Sequence, residues 1–163
     1  IEDNNPVIFF EPKKIYRSSK GEVPSDYYTI PLSQANVTRS GKDVTLIGWG
    51  AIHHVNMEAA KLAAELGISV EVIDLRTLIP YDIETIDTSV KKTKRVVITH
   101  EAPKTGGFAA ELSATIHERH ILHLKAAVQR VTGWDTHYPY AFDYEYYPNP
   151  SRVLNKIKEV MTF

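Results

Sequence analysis

The chain has 163 residues, 43% of them hydrophobic and 24% charged, which is enough for one domain with a sizeable core. Its 19 basic and 20 acidic side chains leave a formal net charge of −1, so the concentrated basic face that a nucleic-acid backbone requires is missing. With no cysteine, disulfides and thiolate metal sites are excluded, and no apolar run reaches the ~18 residues of a membrane-spanning helix.

The chain starts at Ile1 and runs almost directly into Pro6-Val7-Ile8-Phe9-Phe10. A short apolar run bounded by turn residues reads as a strand buried on both faces. Nothing before it supplies a neighbour, so residues 1–14 are expected to be the last strand of a domain that is otherwise missing, and the sequence a piece of a longer polypeptide. Residues 15–27 are charged and broken by Gly21 and Pro24, as in an interdomain linker. A compact domain is expected over residues 28–163.

Within it, Asn36–Arg39 reads as a short edge strand turning back into Val44–Gly50, a central strand by its apolar continuity. A helix follows over 52–66. Val55, Ala59, Leu62, Ala63 and Leu66 form its core side, Glu58, Lys61 and Glu65 its wet side, and Gly67 its end. Ser69–Leu75 is the next strand, and Asp82 is placed to cap a helix over 83–91. Then comes the stretch that organises the chain, RVVITHEAPKTGGFAAEL. It reads as a buried strand at Val96–Ile98, a turn carrying His100, Glu101 and Pro103, and Gly106-Gly107 opening a helix with Phe108, Leu112 and Ile116 on one face. Ala126–Thr132 is a fourth central strand. Asn149-Pro150 starts a last helix whose apolar face is Val153, Leu154, Ile157, Val160 and Met161. Alternation of this kind implies a mostly parallel α/β sheet covered on both sides.

Two groups of residues invite chemistry. His100-Glu101 stands at the carboxyl end of a strand, where open α/β sheets place ligands, but anchoring of the turn or of a subunit contact is the favoured reading. His117, His120 and His123 are three apart, so on a helix they diverge and do not converge on one metal ion. The glycine pair lacks the G-x-G-x-x-G spacing of a dinucleotide site, which leaves a free-standing nucleotide-binding domain without its fingerprint. The tyrosine-rich run HYPYAFDYEYYP could stack bases, yet Asp143 and Glu145 would repel phosphate, so packing against a subunit surface is expected.

Taken together, IFFEPKKIYR, VTLIGWG, EVIDLRTLIPYD, HEAPKTGGFAAEL and RVTGWDTHYPY resemble the C-terminal half of the β subunits of the thiamine-dependent 2-oxo acid dehydrogenases. FFEPKKIYR and HEAPKTGGF point to the branched-chain type. The resemblance covers essentially the whole chain and implies the transketolase C-terminal fold: three layers, α/β/α, around a five-stranded mixed, mostly parallel sheet with one antiparallel edge strand.

It also implies an α2β2 enzyme that decarboxylates branched-chain 2-oxo acids on thiamine diphosphate and acylates the lipoyl group of an acyltransferase core. A pyruvate dehydrogenase β subunit, or an assembly domain without activity, is the alternative. Thiamine diphosphate and magnesium would lie on other parts of that enzyme, so no catalytic or cofactor-binding residue carries over and none of these groups is expected on this region alone. Asp3 and Asn5 match a segment that helps hold a structural potassium ion with oxygen ligands, a frayed terminus being the expectation for this region alone, where the other ligands are missing. Asp135 and the carboxylate of Phe163 match groups on which a basic domain of the acyltransferase docks, a frayed terminus being the alternative. The matrix of a mitochondrion, or the cytoplasm of a prokaryote, is the implied location.

Overall fold

The computed structural model describes residues 2–17 and 20–163. Ile1, Ser18 and Ser19, which fall within the N-terminal strand and linker assignments, lie outside the described residues. The chain divides into two compact units, residues 1–30 and 31–163. In the first, the regular structure described is a short 3-10 turn at Lys13–Ile15. The strand expected at Val7–Phe10 is not formed there, and all four of its side chains are exposed.

The second unit is a three-layer α/β/α domain. Its strands are β1 (Asn36–Arg39), β2 (Val44–Gly48), β3 (Val70–Asp74), β4 (Val96–Pro103) and β5 (Gln129–Gly133). Its helices are α1 (Ile52–Glu65), α2 (Ile83–Thr93), α3 (Ala109–His120), the single turn α4 (Asp143–Tyr146) and α5 (Pro150–Val160). The sheet order is β1-β3-β2-β4-β5, parallel except for β1.

Strand alternation sorts the core. Val44, Leu46, Val70, Val72 and Val97 pack toward Ala59 and Ala63 of α1 and Val153, Ile157 and Val160 of α5. Ile47, Ile73, Val96 and Ile98 face the opposite way, toward Ile86 and Val90 of α2 and Ala109, Leu112 and Ile116 of α3. The caps follow from local chemistry. The Asp82 side chain accepts from Thr85 N, the Asn149 side chain accepts from Arg152 N with Pro150 opening the helix, and Gly67 turns at φ +77 to end α1.

Several expectations need correction. β1 is the antiparallel edge, but it pairs with β3 rather than turning back onto β2. β5 is the other edge, not a central strand, and its first two residues, Gln129 and Arg130, are only half-buried. β4 does not stop at Ile98: it runs through His100 and Glu101 to Pro103, its end pairing with Gly133 of β5 past a register shift. On α1 the buried face carries Asn56 and Ile52, whereas Leu66 is exposed.

Candidate functional site

The chain leaves β2 toward β3 on one side of the sheet and leaves β4 toward β5 on the other. The crevice between the carboxyl ends of β2 and β4 is therefore the topological switch point, where doubly wound sheets hold ligands. It contains a cleft of about 260 Å³, lined by Trp49, Gly50, Ala51, Leu78, His100, Glu101, Ala102 and Phe108.

His100 forms its inner wall. The side chain is only 2% exposed and stacks on Trp49 with ring centroids 5.5 Å apart. Phe108 meets the same indole edge-on at 5.9 Å, and Tyr81 meets Phe108 at 6.0 Å. Neither ring nitrogen of His100 has a well-aligned hydrogen-bond partner among the described residues. Burial holds the imidazole below its ordinary range; the Ala102 backbone pulls the other way and Arg130 adds to the lowering. His100 is thus neutral at neutral pH, one ring nitrogen carrying a proton and the other a lone pair. Glu101, the next residue on the strand, is exposed. Consecutive strand residues face opposite ways, so the two do not form the acid/base unit that their adjacency suggests.

The glycine pair makes room for this histidine. A Cβ on Gly107 would stand 2.5 Å from His100 Cε1 and 2.4 Å from the Pro103 carbonyl oxygen, while Gly106 turns the chain at φ +71. Across the cleft, α1 begins at Ala51 with no side-chain cap and no acidic residue in its first turn. His53, in that turn, has a buried Nδ1 without a partner, and burial, its largest influence, lowers its pKa against the pull of Asp74. Deeper in, fully buried Asn56 accepts from the Thr99 hydroxyl at 2.8 Å. An asparagine on the apolar stripe of a helix was the available sequence signal for this buried contact, and periodicity reading passed over it.

Asp3 and Asn5 are adjacent in a tight turn, where Asp3 Oδ1 accepts from Asn5 N at 2.7 Å and from Asn5 Nδ2 at 2.8 Å. Among the described residues no group of three or more His, Asp or Glu side chains could hold a metal ion. Asp3 and Asn5 present carboxylate and amide oxygens from one turn.

Asp135 follows β5 and caps the loop after β4: its carboxylate accepts from Thr105 N at 2.9 Å and Thr105 Oγ1 at 2.7 Å. Those two bonds, backbone first, hold its pKa below the usual value, so the group is ionised and still exposed. It borders a cleft of about 620 Å³ that is otherwise basic, with Lys104, Arg130, Arg152 and Lys156. At the other end, Arg95 donates from Nε to the Val160 carbonyl at 2.9 Å and from Nη2 to Phe163 O at 2.6 Å, while the Phe163 ring is exposed. Asp135 and Phe163 are held by different elements and share no partner.

Of the three histidines only His117 and His120 lie on α3; His123 comes after its end, and its ring meets that of His120 edge-on at 6.0 Å. His120 is buried with Nε2 at 2.6 Å from Asp87 Oδ1, and His117 Nδ1 lies 2.7 Å from the Ser113 carbonyl. The tyrosine run folds on itself. Tyr138 packs against Tyr140, Tyr146 and Tyr147, and the Trp134 indole donates to the Glu145 carbonyl at 2.8 Å beneath the Arg152 guanidinium.

A family model described as "Transketolase, C-terminal domain" matches residues 33–153. Over its whole length the chain is 55% identical to the mitochondrial 2-oxoisovalerate dehydrogenase subunit beta of Dictyostelium discoideum, covering 44% of that protein. It is 51% identical to 2-oxoisovalerate dehydrogenase subunit beta 2 of Arabidopsis thaliana, again over the whole chain and 46% of that protein. With the pyruvate dehydrogenase E1 component subunit beta of Acholeplasma laidlawii it shares 45% over 98% of the chain and 49% of that protein. The chain thus spans about half the length of the curated relatives it matches. Among solved structures, "Split gene transketolase, inactive beta4 tetramer" superposes with a TM-score of 0.74 at 26% identity, over 90% of this chain and 47% of that one. The five-stranded order with one antiparallel edge, and a match that runs from before β1 into α5, place the chain in the transketolase C-terminal domain family.

Proposed function

We propose that the chain is the C-terminal region of the β subunit of a branched-chain 2-oxo acid dehydrogenase. The whole enzyme decarboxylates branched-chain 2-oxo acids on thiamine diphosphate and passes the acyl group to a lipoyl arm. The observation that supports this reading is identity of 55% and 51%, sustained from end to end, with two mitochondrial subunits of that name, against 43% with a bacterial one and 45% and 44% with pyruvate-type subunits. In this reading, residues 1–14 complete a preceding pyrimidine-binding domain, 15–27 link it, and 28–163 form the assembly domain. The exposed Val7–Phe10 then have a sheet to join. Thiamine diphosphate and magnesium are held by other parts of an α2β2 enzyme, Asp3 and Asn5 contribute to a potassium site, and Asp135 and Phe163 meet the acyltransferase. The matrix is the compartment in a eukaryotic cell, and the cytoplasm in a prokaryotic one.

The test is substrate preference. The full-length β subunit, assembled with its α partner and supplied with thiamine diphosphate and magnesium, is expected to show at least tenfold higher kcat/KM for 3-methyl-2-oxobutanoate than for pyruvate. A preference for pyruvate would assign the chain to the pyruvate dehydrogenase β subunits.

A further inference from the structure

From the geometry of the switch-point cleft we infer that it binds a small monocarboxylate with a short apolar tail. Three features of the cleft define such a ligand. The first is a helix dipole. The start of α1, a helix of 14 residues, carries neither a capping side chain nor an acid in its first turn; the N–H groups of His53 and His54 go to the carbonyls of Gly50 and Ala51, so the end that lines the cleft, at Gly50 and Ala51, offers the helix dipole with no opposing charge. The second is His100. A buried polar group without a partner is costly, and such groups in folded proteins are generally paired. Here the imidazole is 2% exposed, lines the cleft, and among the described residues neither nitrogen has a well-aligned hydrogen-bond partner, only the Ala102 backbone acting on it. An oxygen between the helix start and the imidazole N–H satisfies both.

The third feature is the remaining wall. Trp49, Leu78 and Phe108, with Ala51 and Ala102, are apolar, which favours a hydrocarbon tail over water. Size and charge set the limits. At about 260 Å³ the cleft is smaller than drug-sized pockets, which begin near ~300 Å³, so nucleotides are excluded. With no Lys or Arg in its lining, the cleft has nothing to balance a second negative charge, which disfavours phosphate and dicarboxylates. One charge, one short tail and no more is the chemistry that remains.

Isovalerate is the probe, titrated into the full 163-residue chain while the His100 ring and Trp49 indole signals are followed by NMR. A ligand this small should bind with a Kd of about 1 mM. Isoamyl alcohol and inorganic phosphate should each bind at least tenfold more weakly. Ala51→Asp places a carboxylate of the protein itself on the helix start. It should raise the melting temperature and weaken isovalerate binding at least tenfold. His100→Leu, a second variant that does not depend on the first, should weaken it at least fivefold. Equal binding of the alcohol or of phosphate, an Ala51→Asp protein that binds as before, or unmoved His100 and Trp49 signals would each overturn the assignment.

Discussion

Gly106 and Gly107 are neighbours with different reasons to be glycine. Gly106 sits at φ +71, where any L side chain is strained, and has open space around it. Gly107 has no such dihedral, but a Cβ there would run into the Pro103 carbonyl and the His100 ring. The two therefore respond differently to substitution. Gly106→Ala should cost about 1 kcal/mol, the usual penalty for forcing positive φ on alanine. Gly107→Val must displace backbone or unstack His100 from Trp49, and should cost about 2–4 kcal/mol. Urea denaturation of both variants measures this directly. Equal costs would mean that close packing at Gly107 is relieved without effort. The need for glycine here was legible in the sequence, but its cause at position 107 was not, because the contact comes from a residue that had been assigned to a turn.

The elements around the sheet were readable wherever local pattern decides them: the caps at Asp82 and Asn149, the apolar faces of α3 and α5, and the stop at Gly67. Strand order was not, since it depends on pairing between residues far apart in the chain. Asn36–Arg39 followed closely by Val44 resembles a hairpin, yet β1 finds its partner only after α1 has been crossed. Half-buried Gln129 and Arg130 did mark β5 as an edge, and the apolar run before them masked it.

Between elements, the clearest polar tie is the one joining α2 to α3. Asp87 Oδ1 accepts from Arg119 Nε at 3.0 Å and lies 2.6 Å from His120 Nε2, while Oδ2 meets Arg119 Nη2. Arg119 first, and then His120 against the cost of burial, bring the Asp87 pKa from 3.8 to about 2. A carboxyl lowered on folding stabilises above its unfolded pKa, and that contribution fades as pH falls from about 4 through about 2. The half-exposed Arg119 discounts the gain to about 1–2 kcal/mol. Asp87→Asn should lose that amount at pH 7 and flatten the melting-temperature profile between pH 4 and 2. A variant profile as steep as the wild type would move the acid-sensitive contact elsewhere.

At the scale of the whole molecule, the docking reading meets a specific physical difficulty. Asp135 is ionised and exposed, as a contact for a basic partner must be, but it stands among Lys104, Arg130, Arg152 and Lys156. Lys156 is paired with Glu159 at 2.5 Å, while Arg152 donates to the carbonyls of Thr132 and Tyr147 and Arg130 to that of Lys104. Lys104 and Arg130 keep their charge at the rim and weaken the attraction between Asp135 and a basic domain. Phe163 is in a similar position, because Arg95 already serves its backbone oxygen. Each residue alone should therefore contribute little to docking, and the two together more, since desolvated charge pairs are costly to truncate when no other acid replaces them. The substitution must also respect the Thr105 contact. Asp135→Ala would free the loop after β4, whereas Asp135→Asn keeps an amide oxygen for Thr105 and removes only the charge. In the full-length α2β2 enzyme, Asp135→Asn should weaken binding of the acyltransferase about threefold. Asp135→Asn combined with deletion of Phe163 should weaken it at least tenfold, measured calorimetrically at low ionic strength. Decarboxylation of free 2-oxo acid should stay within twofold of normal, because neither residue belongs to the cofactor site in the proposed assembly. Unchanged binding in the double variant would remove this surface from docking, and lost decarboxylation would bring it into contact with the reaction itself.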